Sequence, residues 1–183
     1  ALNVASIGAI QQPGVETIIE LEPDVVIAST HGSKEAADLL ANAGIEVKYF
    51  FAPQTFEGVF DVIEQVAAEI DAEAEAEALI SDMRTRYEKL LKKTAEIENR
   101  PSVYFVIDYG ETGDWTAGGD TFIGKMIDVA GGNNIAADIS GWSFSLEKLV
   151  EADPDIIFIA DARKQAFAEA PVYSDLSAVK SGN

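Results

Sequence analysis

Few residues in this 183-residue chain could do covalent chemistry, and the sequence narrows the options quickly. There is one histidine, His31, and no cysteine, so thiolate metal sites, cysteine nucleophiles and disulfides are excluded. Ser29, Ser33 and Ser140 lack the G-x-S-x-G elbow, and one histidine would have to serve any triad. Gly118-Gly119 and Gly131-Gly132 match neither a P-loop nor a dinucleotide fingerprint. Asp108, Glu111 and Asp114 share one loop, yet the chain carries 32 acids and no metal-ligand spacing. A zinc or manganese site built from several histidines is ruled out by the count. What remains is a set suited to binding. His31 directly follows a strong strand, the position where open α/β sheets place ligand crevices, and reads either as a polar or axial ligand contact or as a surface loop histidine. Tyr109, Trp115 and Trp142 lie in loops and read either as aromatic walls for a large planar ligand or as loop anchors. Arg163 reads as a partner for an anionic ligand or as a solvated residue at a helix start.

The elements that would position these residues follow from periodicity and punctuation. Asp71 to Arg100 (DAEAEAEALISDMRTRYEKLLKKTAEIENR) is rich in helix formers and contains no Gly or Pro before Pro101. Leu79, Ile80, Met83, Tyr87, Leu90 and Leu91 recur at three- and four-residue steps, which predicts one apolar stripe. Roughly 27 residues at about 1.5 Å each reach ~40 Å, so this helix is expected to serve two bodies as a stiff connector. Acids crowd its start and Lys89, Lys92 and Lys93 its end, as the helix dipole prefers. Before it, the pattern is a short helix at 15–21, a strand at 25–28 expected to be buried on both faces, a helix at 34–43 closed by Gly44, a strand at 45–51 and a helix at 56–70. After it come a strand at 102–107, a helix at 121–130, a short strand at 133–136, a helix capped by Ser145 and a strand at 156–160. The fold class is therefore α/β, with two small, mostly parallel lobes (1–70 and 101–183) joined by one long connecting helix (71–100).

The two halves share a repeat. Glu16–Thr30 (ETIIELEPDVVIAST) and Glu147–Asp161 (EKLVEADPDIIFIAD) superpose without a gap at an offset of 131 residues. Glu16, Glu20, Pro23 and Asp24 recur as Glu147, Glu151, Pro154 and Asp155, which favours a duplicated unit. Glu16 and Glu147 each take the second place of a short helix, where a carboxylate gains about 0.3 to 1 kcal/mol from the dipole.

Composition removes further classes. Thirteen bases against 32 acids give a formal charge of −19, which disfavours nucleic acid and anionic membrane surfaces as partners. No apolar run reaches ~18 residues, so no transmembrane segment is expected.

The segments PGVETIIELEPDVVIAS, LLANAGIEV, AEALISDMRTRY, TAGGDTFIGKMIDVAGGNNIA, SLEKLVEADPDIIFIAD and YSDLSAVKSGN, in this order, resemble the substrate-binding proteins of ABC importers for ferric siderophores, haem and cobalamin. The resemblance covers nearly the whole chain. It implies two α/β lobes on a helical backbone, each incomplete here, because the family's pattern has strands ahead of residue 1 and a strand and helix beyond Asn183. It also implies a non-enzymatic, extracytoplasmic protein, periplasmic or anchored as a surface lipoprotein, whose metal chelate is cargo rather than a resident cofactor. Glu16 and Glu147, one per lobe, would dock onto arginines of the paired permease subunits. His31, Tyr109, Trp115, Trp142 and Arg163 are the expected ligand contacts. An α/β hydrolase-like enzyme and a sensing module without a transporter are the alternatives.

Overall fold

The computed structural model describes residues 4–110 and 113–183, so Glu111 of the acidic loop lies outside the described residues. The chain divides into two units, Ala1–Ile80 and Ser81–Asn183.

In the first unit, β1 (Gly8–Ala9) and β2 (Gln12–Pro13) form a small antiparallel pair ahead of α1 (Val15–Glu20). There follow β3 (Val25–Ser29), α2 (Lys34–Asn42), β4 (Glu46–Phe50) and α3 (Phe56–Glu69). β3 and β4 pair in parallel with Val25 opposite Glu46, the β-α-β arrangement expected from the sequence. The boundaries have local causes. Ser33 accepts from the Ala36 amide at 3.2 Å and Thr55 from the Gly58 amide at 3.0 Å, caps that each contribute about 1 kcal/mol. Gly44 ends α2 at φ +87, a left-handed turn that an L side chain strains to adopt. Ile18, Leu40, Phe50 and Phe60 form the core. β3 departs from expectation: it is half-buried, and Ile27 is exposed. Among the described residues β4 is its one ladder partner, and with Ile27 exposed its β-branched run reflects strand propensity rather than burial on both faces.

The long helix is α4 (Glu73–Ala95), shorter at each end than the stretch rich in helix formers. The division between units falls inside it, after Ile80. Its covered line runs through Ala76, Ile80, Met83, Tyr87 and Thr94, narrower than the predicted stripe. Leu90 and Leu91 straddle that line and Leu79 lies at its rim, which leaves all three exposed. Thr94 takes a core position because its hydroxyl donates to the Leu90 carbonyl at 3.1 Å.

In the second unit, β5 (Ser102–Phe105), β6 (Asp114–Trp115), α5 (Phe122–Val129), β7 (Asn133–Asn134), β8 (Ser143–Phe144), α6 (Leu146–Ala152) and β9 (Ile156–Phe158) follow in order. α7 (Asp161–Glu169), a 3-10 turn (Tyr173–Asp175) and α8 (Ser177–Ser181) complete the described chain. The parallel sheet has the order β7-β5-β9, and β6 pairs antiparallel with β8 beside it. Asp155 fixes the sheet register at its base: its carboxylate accepts from the Ser102 amide at 2.7 Å and hydroxyl at 2.6 Å. Tyr104, Phe144, Leu149, Phe167 and Tyr173 pack in one core.

The repeat is physical as well as textual. Ile18 of α1 and Leu149 of α6, 131 residues apart, are both buried, and β3 and β9 begin at equivalent places.

Candidate functional site

The carboxyl ends of β5 and β9 bring four of the sequence-predicted residues into one region of the second unit. β5 runs out into Ile107, Asp108 and Tyr109, and β9 into Asp161 and Arg163. The Arg163 guanidinium donates to the Ile107 carbonyl at 2.6 Å and to the Asp108 carboxylate, and lies 5.5 Å from the centre of the Tyr109 ring. Arg163 is therefore already paired within the protein, with its side chain still 42% exposed. Its hydrogen bond holds the Asp108 carboxyl below the ordinary range, helped by the Tyr109 amide.

Tyr109 leans edge-on against Phe167 (4.9 Å, 88°) and Tyr173 (5.3 Å, 69°). Trp115 is tied back to the same loop, its amide donating to the Asp108 carbonyl at 2.9 Å. It stands opposite Ser143, next to Trp142, and the Thr116 amide donates to the Trp142 carbonyl at 2.7 Å. Both indoles are about 40% exposed (Trp115 41%, Trp142 40%), so neither is an ordinary core anchor. Two exposed tryptophans and a half-buried tyrosine thus lie on adjoining, hydrogen-bonded segments, and aromatic rings of this kind suit stacking on a large, flat ligand.

The Gly118-Gly119 pair is what lets these segments close on each other. A Cβ on Gly119 would stand 2.0 Å from the Ala137 carbonyl oxygen, and one on Gly118 2.4 Å from that of Ile139. The Gly118 and Gly119 amides donate to the Gly141 and Ile139 carbonyls at 2.9 and 3.0 Å. Backbone thus meets backbone beneath the loop that carries Trp142.

Sequence reasoning gave no role to two residues of this region, Asp114, read only as one acid of its loop, and Tyr173. Asp114 is 2% exposed and accepts the Tyr173 hydroxyl at 2.7 Å, and Tyr173 in turn accepts from the Gly110 amide at 3.2 Å. Burial raises the Asp114 pKa, with the Tyr173 hydrogen bond opposing, and burial likewise raises that of Tyr173. Nothing in their spacing marks them, since both act through contacts some 60 residues apart in sequence (59 for Tyr173 and Asp114).

In the first unit, His31 lies in the exposed turn after β3. Its carbonyl accepts from the Gln11 side chain and its amide donates to the Ser29 hydroxyl at 3.3 Å. A cavity of about 400 Å³ lies beside β3, lined by Ile18, Ile27, Ala37 and Phe50 among others, but His31 is not part of its wall. Glu16 and Glu147 are exposed at the second position of α1 and α6. The Ser145 hydroxyl donates to Glu147 and lowers its pKa. Among the described residues, no cluster of three or more His, Asp or Glu is placed to hold a metal ion, and no helix is long and apolar enough to cross a membrane.

The second unit carries exposed aromatic residues in the segments beyond β5, and both units share a repeated helix-turn-strand. The chain belongs to the periplasmic binding protein family, whose model matches residues 1–183. It is 34% identical over 160 residues to a cobalamin-binding protein of Halobacterium salinarum, covering 85% of this chain and 42% of that protein. It is 32% identical over 172 residues to the ABC transporter substrate-binding lipoprotein YvrC of Bacillus subtilis, covering 91% of this chain and 55% of that one. The chain thus spans about half the length of these relatives. The crystal structure of the periplasmic haem-binding protein HutB of Vibrio cholerae superposes with a TM-score of 0.84 at 24% identity, over 99% of this chain and 74% of that chain. The long-helix α/β architecture expected from the sequence is the one this family shares.

Proposed function

We propose that the full-length protein is the extracytoplasmic substrate-binding component of an ABC importer. It captures a metal chelate, either a ferric siderophore, haem or cobalamin, and delivers it to a membrane permease. The observation that carries this reading is the aromatic set Tyr109, Trp115 and Trp142 on adjoining segments beyond β5, two of its members exposed. Its rings offer stacking and dispersion contact over a wide, flat area, which suits a macrocycle or an aromatic chelator better than a small polar solute. The functions named for the relatives from Halobacterium and Bacillus support it. The chelate is cargo, so no resident cofactor, bound metal or catalytic step is required. His31 contributes a polar ligand contact from the exposed turn after β3.

Glu16 and Glu147 dock the protein on its permease. They are exposed, occupy equivalent places in the repeat, and offer one acidic contact per unit to a paired partner. Exposed charge pairs contribute little to folding stability, whereas at an interface they set orientation and association rate. The test is uptake by cells carrying full-length Glu16→Gln/Glu147→Gln. The expected result is unchanged chelate affinity with uptake lost. Uptake at the wild-type rate would overturn the docking role and leave only the helix-dipole contribution of the two carboxylates.

A further inference from the structure

We propose that Arg163 is a positioning residue, which sets the ligand-facing Tyr109 and Trp115 without contacting ligand itself; this rests on the function proposed above. The geometry is a fork. One guanidinium nitrogen holds the Ile107 carbonyl at 2.6 Å, another holds the Asp108 carboxylate, and the guanidinium carbon lies 5.5 Å from the Tyr109 ring centre. Asp108 passes the constraint on in two directions. Its carboxylate accepts from the Tyr109 amide at 2.9 Å, and its carbonyl accepts from the Trp115 amide at 2.9 Å. The Trp115 carbonyl also accepts from the Ile107 amide at 2.9 Å. Among the described residues, the backbone hydrogen bonds that tie Trp115 back to the end of β5 run to Ile107 and Asp108, the two residues that Arg163 grips.

The magnitudes separate positioning from mere stabilisation. The Arg163 and Asp108 side chains are 42% and 47% exposed, and ion pairs in such settings contribute little to folding stability. A planar, multi-donor group nevertheless fixes two acceptors and a ring at once, which a lysine ammonium on a flexible stem cannot do. Folding stability should thus be almost indifferent to this side chain, while the orientation of the aromatic surface depends on it. α7 needs no arginine for its own sake, since its buried anchor is Phe167.

Arg163→Met, Arg163→Lys, Asp108→Asn and the double variant Asp108→Asn/Arg163→Met would be compared with wild type in the full-length protein. Near-ultraviolet circular dichroism without ligand reports the aromatic packing; haemin and cyanocobalamin titrations report binding. The expected result for Arg163→Met is an altered near-ultraviolet spectrum, unchanged thermal melting, and about a tenfold loss of affinity for whichever chelate binds, equivalent to about 1.4 kcal/mol. Arg163→Lys should fail to restore either readout. The double variant should bind no more weakly than Arg163→Met, because both residues act through one linkage. A wild-type spectrum in Arg163→Met, wild-type affinity despite an altered spectrum, or full rescue by lysine would each overturn the proposal. Failure of the wild-type protein to bind any chelate would contradict the proposed function, whereas the ligand-free spectra would still decide whether Arg163 sets the aromatic surface.

Discussion

Replacing Gly119 by alanine tests whether the backbone closure beneath Trp142 holds the candidate site together. The new Cβ would stand 2.0 Å from the Ala137 carbonyl oxygen, against the 3.4 Å or more of an ordinary contact, and the obstructing atoms are backbone that no rotamer change can clear. Opening the segments far enough puts at risk the bonds from the Gly118 amide to the Gly141 carbonyl and from the Gly119 amide to the Ile139 carbonyl. Overpacking costs about 1 to 3 kcal/mol, and each weakened hydrogen bond about 1 kcal/mol. A loss of about 3 kcal/mol follows, which for a unit of this size lowers the melting temperature by roughly 12–24 °C. Gly44→Ala is the control: Gly44 has φ +87 and nothing within 4 Å of its absent Cβ, so only the left-handed backbone is strained, at about 1 kcal/mol. Urea denaturation followed by far-ultraviolet circular dichroism measures both. Equal losses in the two variants would refute the close-approach argument.

Two further outcomes follow from burial and charge. Leu149→Ala should cost about 2–5 kcal/mol, because Leu149 is fully enclosed, whereas Ile18→Ala at the equivalent place should cost roughly half as much, since Ile18 already borders the open cavity; urea midpoints compare them. The Ser102 and Ser177 hydrogen bonds depress the Asp155 and Asp153 pKa values, so their stabilisation is complete above the ordinary value of 3.8 and is lost as pH falls through the lower folded values. Asp114 has the opposite sign. Burial raises its folded pKa, so the stability tied to it grows as pH falls from neutral through that value. Urea midpoints across the acid range should show Asp155→Asn flattening the loss below 3.8 and Asp114→Asn flattening the slope above it.

The pattern of legible and illegible features has a physical cause. Continuous β-branched runs, Pro-Asp turns and capping serines are local signals, so β3, β4, α2, α6 and β9 could be read from the sequence. The Glu16 and Glu147 repeat pointed to a duplicated unit, and Ile18 and Leu149 are both buried at its equivalent places. β1, β2, β6 and β8 are two residues each, too short for any period to register. α7 is mostly polar and buries only Phe167, which left Arg163 looking like a solvated helix start. The glycine pairs matched no phosphate-binding motif, and the purpose of Gly118-Gly119, backbone against backbone, is visible only once residues 137–141 are in place. Asp114 was one acid among 32 until Tyr173 came to meet it.

Trp115 and Trp142 are the only two tryptophans in the chain, so their emission reports on the proposed ligand surface directly. Titrating the full-length protein with cyanocobalamin, haemin and a ferric siderophore, and following tryptophan quenching, is the most direct test of the account. Saturable quenching by at least one of the three, lost in Trp115→Phe/Trp142→Phe together with most of the affinity measured by calorimetry, is the predicted result. Absence of saturable binding to any of them, or full affinity retained in that double variant, would contradict it.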